Sequence, residues 1–143
     1  MDHIDRMLLK ALEQNAKVPL KQLAKSVFLS PPAVSARIER LEKEGIITGY
    51  HAHLDDERLG YHILAFVNLS LPPERHEEFT RFIERMPNVM ECCHISGQYS
   101  MLIKVRFIST ADLNSFVMEL QKFGTTETQI VFSQVVKPRD VLE

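Results

Sequence analysis

The sequence predicts an α+β chain in two parts: a winged helix-turn-helix domain over residues 1–60 and a ferredoxin-like (βαββαβ) domain over residues 61–143. Three observations point there. Up to about residue 47 the apolar residues recur at intervals of three and four, the period of a helix. After about residue 62 they mostly alternate, the period of a strand, with two helical stretches set between. Between these rhythms lies a charged stretch, Asp55–Tyr61 (DDERLGY), which reads as a linker.

The first helix is expected from about Asp2 to Gln14, with Ile4, Met7, Leu8, Ala11 and Leu12 as its apolar stripe. A helical pair follows within Val18–Ile47. Leu20, Leu23, Ala24 and Val27 share one face of the first member, and Leu29 is placed to plug the angle between the two. Ser30 precedes Pro31 and Pro32, so a hydroxyl that accepts from orphan amides stands next to prolines that need no amide partner. That is a sharp helix start. Val34, Ile38 and Leu41 then form a buried stripe, leaving Pro32, Ser35, Ala36, Arg37, Arg40 and Lys43 off it, and Gly45 stops the helix.

A capped helix whose leading residues are small can enter a DNA major groove, where long side chains would collide with the bases. Ser30, Pro32, Ser35, Ala36 and Arg37 are therefore expected to line a DNA-facing side. Arg40 is expected either at a phosphate or pinned to an acid such as Asp5. The plainer alternative is a helical hairpin with solvated arginines. Ile46–Leu54 reads as a strand or short hairpin, the wing, with His51 and His53 on one face as surface residues rather than metal ligands.

In the second part Ile63, Ala65, Val67, Leu69 and Leu71 alternate along a strand closed by Pro72 and Pro73. A helix follows from about Glu74 to Arg85, with Phe79, Phe82, Ile83 and Met86 inward, and Pro87 and Asn88 end it. Val89–Ile95 is a second strand, Gly97 and Gln98 a turn, and Met101, Ile103, Val105 and Phe107 mark a third. Ser109 or Thr110 caps a helix with Leu113, Phe116, Val117 and Leu120 as its stripe, stopped by Gly124, and Ile130–Val136 is the last strand. Two helices cover one face of such a sheet. Leu64, Phe66, Leu102, Val131 and Val135 fall in the opposite phase, so the other face is partly apolar, and a second copy stacked sheet on sheet would cover it. The alternative is cover by the C-terminal tail.

Composition narrows the function classes. The 143 residues carry a net charge of −2, with eight Lys/Arg against six Asp/Glu in residues 1–50 and nine against thirteen after them. Any phosphate contact belongs to the front, and so small a surplus calls for several linked copies. No apolar run is long enough for a membrane span and the N-terminus MDHIDRMLLK does not read as a signal peptide, so a cytoplasmic protein is expected. Cys92 and Cys93 are adjacent and read as reduced thiols, with His94 an ordinary neighbour rather than a third metal ligand. No paired catalytic carboxylates, nucleophile-base arrangement, phosphate loop or metal spacing is present, so no catalytic residue, cofactor or metal is assigned and an enzyme on the second domain is disfavoured.

The run LSPPAVSARIERLEKEGII, with the preceding LKQLAKSV, resembles the DNA-reading motif of the Lrp/AsnC, or feast/famine, transcription regulators. Phe28 departs from it, standing at a turn position where many family members carry glycine. Gly97-Gln98-Tyr99-Ser100 is similar to the family's Gly-x-aromatic-Asp turn, associated with binding a free amino acid between dimers, except that Ser100 replaces the carboxylate. The resemblance implies a homodimer, often an octamer, acting on double-stranded DNA. It also implies an amino-acid effector held at Gly97, Tyr99 and Ser100. A ligand-independent architectural DNA-binding protein is the alternative that Ser100 keeps open.

Overall fold

Asp2 starts the first helix: its carboxylate accepts from the Asp5 amide at 2.9 Å while the Asp5 carboxylate accepts from the Asp2 amide at 2.8 Å. This reciprocal box satisfies amides that no helical carbonyl can reach. Helix α1 runs from it over His3–Gln14, followed by α2 (Leu20–Ser26) and α3 (Pro31–Lys43). The computed structural model describes residues 1–136, and these divide into two units, Met1–His53 and Leu54–Val136.

In the first unit Leu8, Leu23, Ala24, Val27 and Val34 form the core, with Ile4, Ala11, Leu12, Leu29 and Ile38 packed around it. The predicted stripes thus meet in one cluster, and Leu29 lies where the two helices diverge. Met7 and Leu20 are each 38% exposed, at the margins of their stripes rather than within them. The expected wing does not form: Ile46–Leu54 contains no strand. The Ile46 and Ile47 amides instead turn back to the Leu41 carbonyl, at 2.9 and 3.2 Å, and a strand without a partner has no ladder to stabilise it.

The second unit is a four-stranded antiparallel sheet in the order β2-β3-β1-β4, with β1 Ile63–Ser70, β2 Val89–His94, β3 Met101–Phe107 and β4 Thr125–Ile130. Helix α4 (His76–Ile83) follows a single 3-10 turn at Pro73–Arg75, and α5 (Thr110–Gln121) is capped by Ser109. Ala65, Val67 and Leu69 of β1 and Met101, Ile103, Val105 and Phe107 of β3 are buried against Phe79, Ile83, Leu113, Phe116 and Leu120. The opposite phase, Leu64, Phe66 and Leu102, is only half-buried.

The last strand is a correction. It lies at Thr125–Ile130, five residues ahead of the expected Ile130–Val136, and pairs with β1 from Ser70↔Thr125 to Ala65↔Ile130. Its sequence, TTETQI, gives no apolar alternation because this is an edge strand whose side chains are mostly exposed. Val131 and Val135, expected on the open face of the sheet, lie beyond the end of the strand, and of the apolar residues that suggested the later placement Phe132 is fully exposed and Val135 95% exposed. Lys137 and Pro138, expected to follow the strand, and the tail offered as an alternative cover lie outside the described residues.

Gly124 lets β4 begin close to β1. A Cβ there would stand 1.9 Å from the Ser70 carbonyl oxygen. Gly124→Ala is expected to force the strands apart and lower stability by about 1–3 kcal/mol, seen as an earlier urea midpoint for this unit with that of residues 1–53 unchanged.

Asp55–Tyr61 is tied to the second unit. Arg106 on β3 pairs with Asp56 and sets its guanidinium over the Tyr61 ring, 5.4 Å from the centroid. Among the described residues no helix is long and apolar enough to cross a membrane.

Candidate nucleic-acid interface

The join between α2 and α3 is short and well bonded. The Leu29 amide returns to the Ala24 carbonyl at 3.0 Å, Phe28 takes the left-handed conformation with φ 55°, and Ser30 resumes extended backbone as the N-cap of α3. The Ser30 hydroxyl accepts from the Ala33 amide at 3.4 Å, and Pro31 and Pro32 open the helix without donors to satisfy. What α3 leaves on its surface is therefore a blunt end: Ser30, Pro31, Pro32 and Ala36 are exposed and Ser35 half-exposed. Glu39 lies one turn on and accepts from the Ser35 hydroxyl at 3.0 Å.

Two arginines expected on that surface point toward α1. Arg37 Nη1 donates to Asp2 Oδ2 at 2.7 Å and Asp5 Oδ1 at 2.8 Å, and Arg40 Nη2 donates to Asp5 Oδ2 at 2.6 Å. Arg40 thus takes the second of its two expected places, pinned to Asp5. Asp5 is fully buried, the only buried charged residue among those described, while the arginine side chains keep 27% and 46% of their surface. The reason is helical geometry: at 100° per residue Arg37 and Arg40 lie on the flank of α3 between its outer face and its core stripe, where α1 packs. Each guanidinium has five N–H donors, so hydrogens remain for another acceptor.

The network shifts its acids. Amide donation from Asp5, then the Arg37 guanidinium, hold the Asp2 carboxyl at about 2 against an ordinary 3.8. Burial pushes Asp5 upward, but the Asp2 amide, Arg37 and Arg40 together outweigh it and the net direction is down. A depressed carboxylate stabilises the fold above its ordinary pKa and stops doing so as pH falls through the folded value. The stability of residues 1–53 is accordingly expected to be level down to about 3.8 and to fall between there and about 2. Denaturant midpoints taken against pH check this, and Asp2→Asn should flatten the fall.

Residues that the sequence reading passed over sit beside this site. Lys21 and Lys25 are exposed on α2, one turn apart, and neither is paired with a carboxylate among the described residues. Their signal was available, since both lie off the Leu23–Ala24–Val27 stripe at helical spacing.

The turn Gly97–Ser100 joins β2 to β3. Gly97 has φ 121°, which glycine adopts freely. The Ser100 hydroxyl accepts from the Leu71 amide at 2.9 Å and lies 3.3 Å from the Leu69 carbonyl, so it fastens the turn to the end of β1. A hydrogen bond to Glu127 raises the pKa of Tyr99. Nearby, Cys92 packs against the core and burial pushes its thiol up to about 11, far from the thiolate form. Among the described residues no group of three or more His, Cys, Asp or Glu is placed to hold a metal ion.

Comparison with known proteins extends this geometry. Residues 1–48 match a family model described as winged helix-turn-helix DNA-binding, and residues 64–141 match one described as Lrp/AsnC ligand binding domain. The chain is similar to the leucine-responsive regulatory protein of Haemophilus influenzae, 34% identical over 142 residues that cover 94% of this chain and 86% of that one. Among solved structures it is similar to AsnC of E. coli, with a TM-score of 0.91 and 28% identity over 100% of this chain and 99% of that one. It is also similar to a feast or famine regulatory protein from M. tuberculosis complexed with L-methionine, with a TM-score of 0.92 and 27% identity over 99% of each. A DNA-binding helical unit followed by that sheet domain, matched along nearly the whole chain, shows that this protein belongs to the Lrp/AsnC family of transcriptional regulators.

Proposed function

We propose that the chain regulates transcription by seating the leading end of α3 in the major groove of double-stranded DNA. The observation that carries this is the blunt, capped, proline-started surface of Ser30, Pro32, Ser35 and Ala36, free of long side chains. Arg37 and Arg40 contribute at the flank, steadied by Asp5 and offering their remaining donors to phosphates, with Lys21, Lys25 and Lys43 as further cations. Glu39 with Ser35 supplies an acceptor of the kind that suits a cytosine amino group.

Copies pair through the half-exposed face carrying Leu64, Phe66 and Leu102, and the dimers associate further, up to octamers. A bound amino acid in a similar regulator and the match to a ligand-binding model support an amino-acid effector in the second unit, at Gly97, Tyr99 and Ser100. The Ser100 hydroxyl is already engaged by the Leu71 amide, and Glu127 of β4, beside Tyr99 and accepting from Gln129, supplies a carboxylate that an ammonium group could meet. The protein works in the cytoplasm, where its DNA and a free amino-acid pool meet.

The test is selection of genomic fragments by the purified chain, repeated with each of the twenty amino acids. A discrete fragment set whose footprint shifts with one of them supports the whole reading, and Glu127→Gln should abolish that shift. Indifference to all twenty favours the architectural reading, to which the engaged Ser100 already lends weight.

A further inference from the structure

Phe28 is unfavourable twice over within its own fold. Its φ of 55° lies in a region that side chains rarely adopt, and its ring is 94% exposed. Glycine or asparagine would remove both penalties, so the ring is to be explained by something outside the chain.

Its surroundings say what. Lys21 and Lys25, four residues apart, share one side of α2, and Phe28 stands in the turn that follows the end of that helix at Ser26. Both lysines are exposed and pair with no carboxylate among the described residues. The Phe28 amide donates to the Lys25 carbonyl at 3.4 Å and the next amide to Ala24 at 3.0 Å, so the turn holds the aromatic in place relative to those lysines. Two residues later Ser30 begins the helix that enters the groove. Two cations, an aromatic and a blunt helix start in sequence match a strand of duplex DNA, which offers phosphates and, between them, apolar sugar and thymine-methyl surface.

We propose that Phe28 is a DNA contact, its ring laid on the apolar edge of a nucleotide at the rim of the site while Lys21 and Lys25 hold the flanking phosphates. This rests on the reading of α3 as the groove-entering helix. The probe is a duplex selected from a random-sequence pool by the wild-type full-length chain, with affinities measured at one fixed salt concentration for wild type, Phe28→Gly and Phe28→Asn. Both variants are expected to bind about tenfold more weakly, the loss of one apolar base contact, with melting temperatures no lower than wild type. Replacing thymine by deoxyuridine position by position separates the two apolar surfaces. Loss at one position in wild type but not in Phe28→Gly assigns the methyl group, and no such position assigns the sugar. Affinity equal to wild type in both variants overturns the contact, as does weaker binding accompanied by a lower melting temperature. If wild type enriches no duplex at all, the groove reading itself falls and takes this contact with it.

Discussion

Asp5→Ala is expected to destabilise the first unit by about 3 kcal/mol, from two charge-assisted hydrogen bonds and one helix cap, reduced because the arginines reach solvent. The substitution removes the buried carboxylate that Arg37 and Arg40 share and the acceptor for the Asp2 amide in one step. Asp5→Asn should cost less, since an amide oxygen still accepts one hydrogen bond without the charge. Urea unfolding followed for the helical unit reads both. The effect on DNA separates two roles for the ion pair. Deleting a negative charge beside the binding surface would by Coulomb attraction strengthen phosphate binding, whereas loosening α3 from α1 weakens it. Because the pair spans two helices and anchors the one proposed to enter the groove, weaker binding is expected. Tighter binding without loss of stability would mean that Asp5 withholds the arginines from DNA.

If copies pair through the proposed sheet face, Phe66→Glu is expected to leave a monomer and to lower apparent affinity for a two-half-site duplex by roughly a hundredfold or more, the loss of linkage between two copies. Phe66 lies on the sheet face away from the helices, opposite Lys104 on β3 and Gln129 on β4. A charge there meets water in a single chain and repels its counterpart across a two-fold interface. The fold should survive, because the buried side of β1 is carried by Ala65, Val67 and Leu69. Light scattering and circular dichroism together distinguish this outcome from unfolding, and Val67→Glu, which places the charge in the core, provides the contrast. A Phe66→Glu chain that stays dimeric would move the interface elsewhere.

What could be read from the sequence was whatever rests on local chemistry or on strong periodicity. Ser30 caps α3 because a hydroxyl before a proline pair has little else to do, and β1 and β3 declare themselves through alternation enforced by burial on one face. The Asp5–Arg40 pair was within reach as one of two options, since an acid in the first turn of α1 and a basic residue on the flank of α3 are brought together by a three-helix core. Arg37 was harder. Its place off the apolar stripe is equally compatible with water, DNA or α1, and only the packed arrangement selects Asp2 and Asp5. Strand β4 escaped because an edge strand of TTETQI has no buried face to pattern, while the exposed Phe132, Val135 and Val136 imitate one. The wing is suggested by the sequence for a similar reason: Ile46 and Ile47 look like strand residues, yet their amides close the end of α3. Ser100 shows a different limit, in that its departure from the family turn was visible but its bond to the Leu71 amide depends on where β1 ends.

In the proposed complex, linked copies present the leading end of α3 to specific base pairs. Selection of duplexes from a random pool by the full-length chain, followed by sequencing, tests it most directly. An enriched sequence of two symmetric halves whose centres lie one or more helical turns apart is expected, and Ser35→Arg, by crowding the groove face, should abolish the enrichment. Uniform retention of every duplex, or enrichment that Ser35→Arg leaves unchanged, would contradict it.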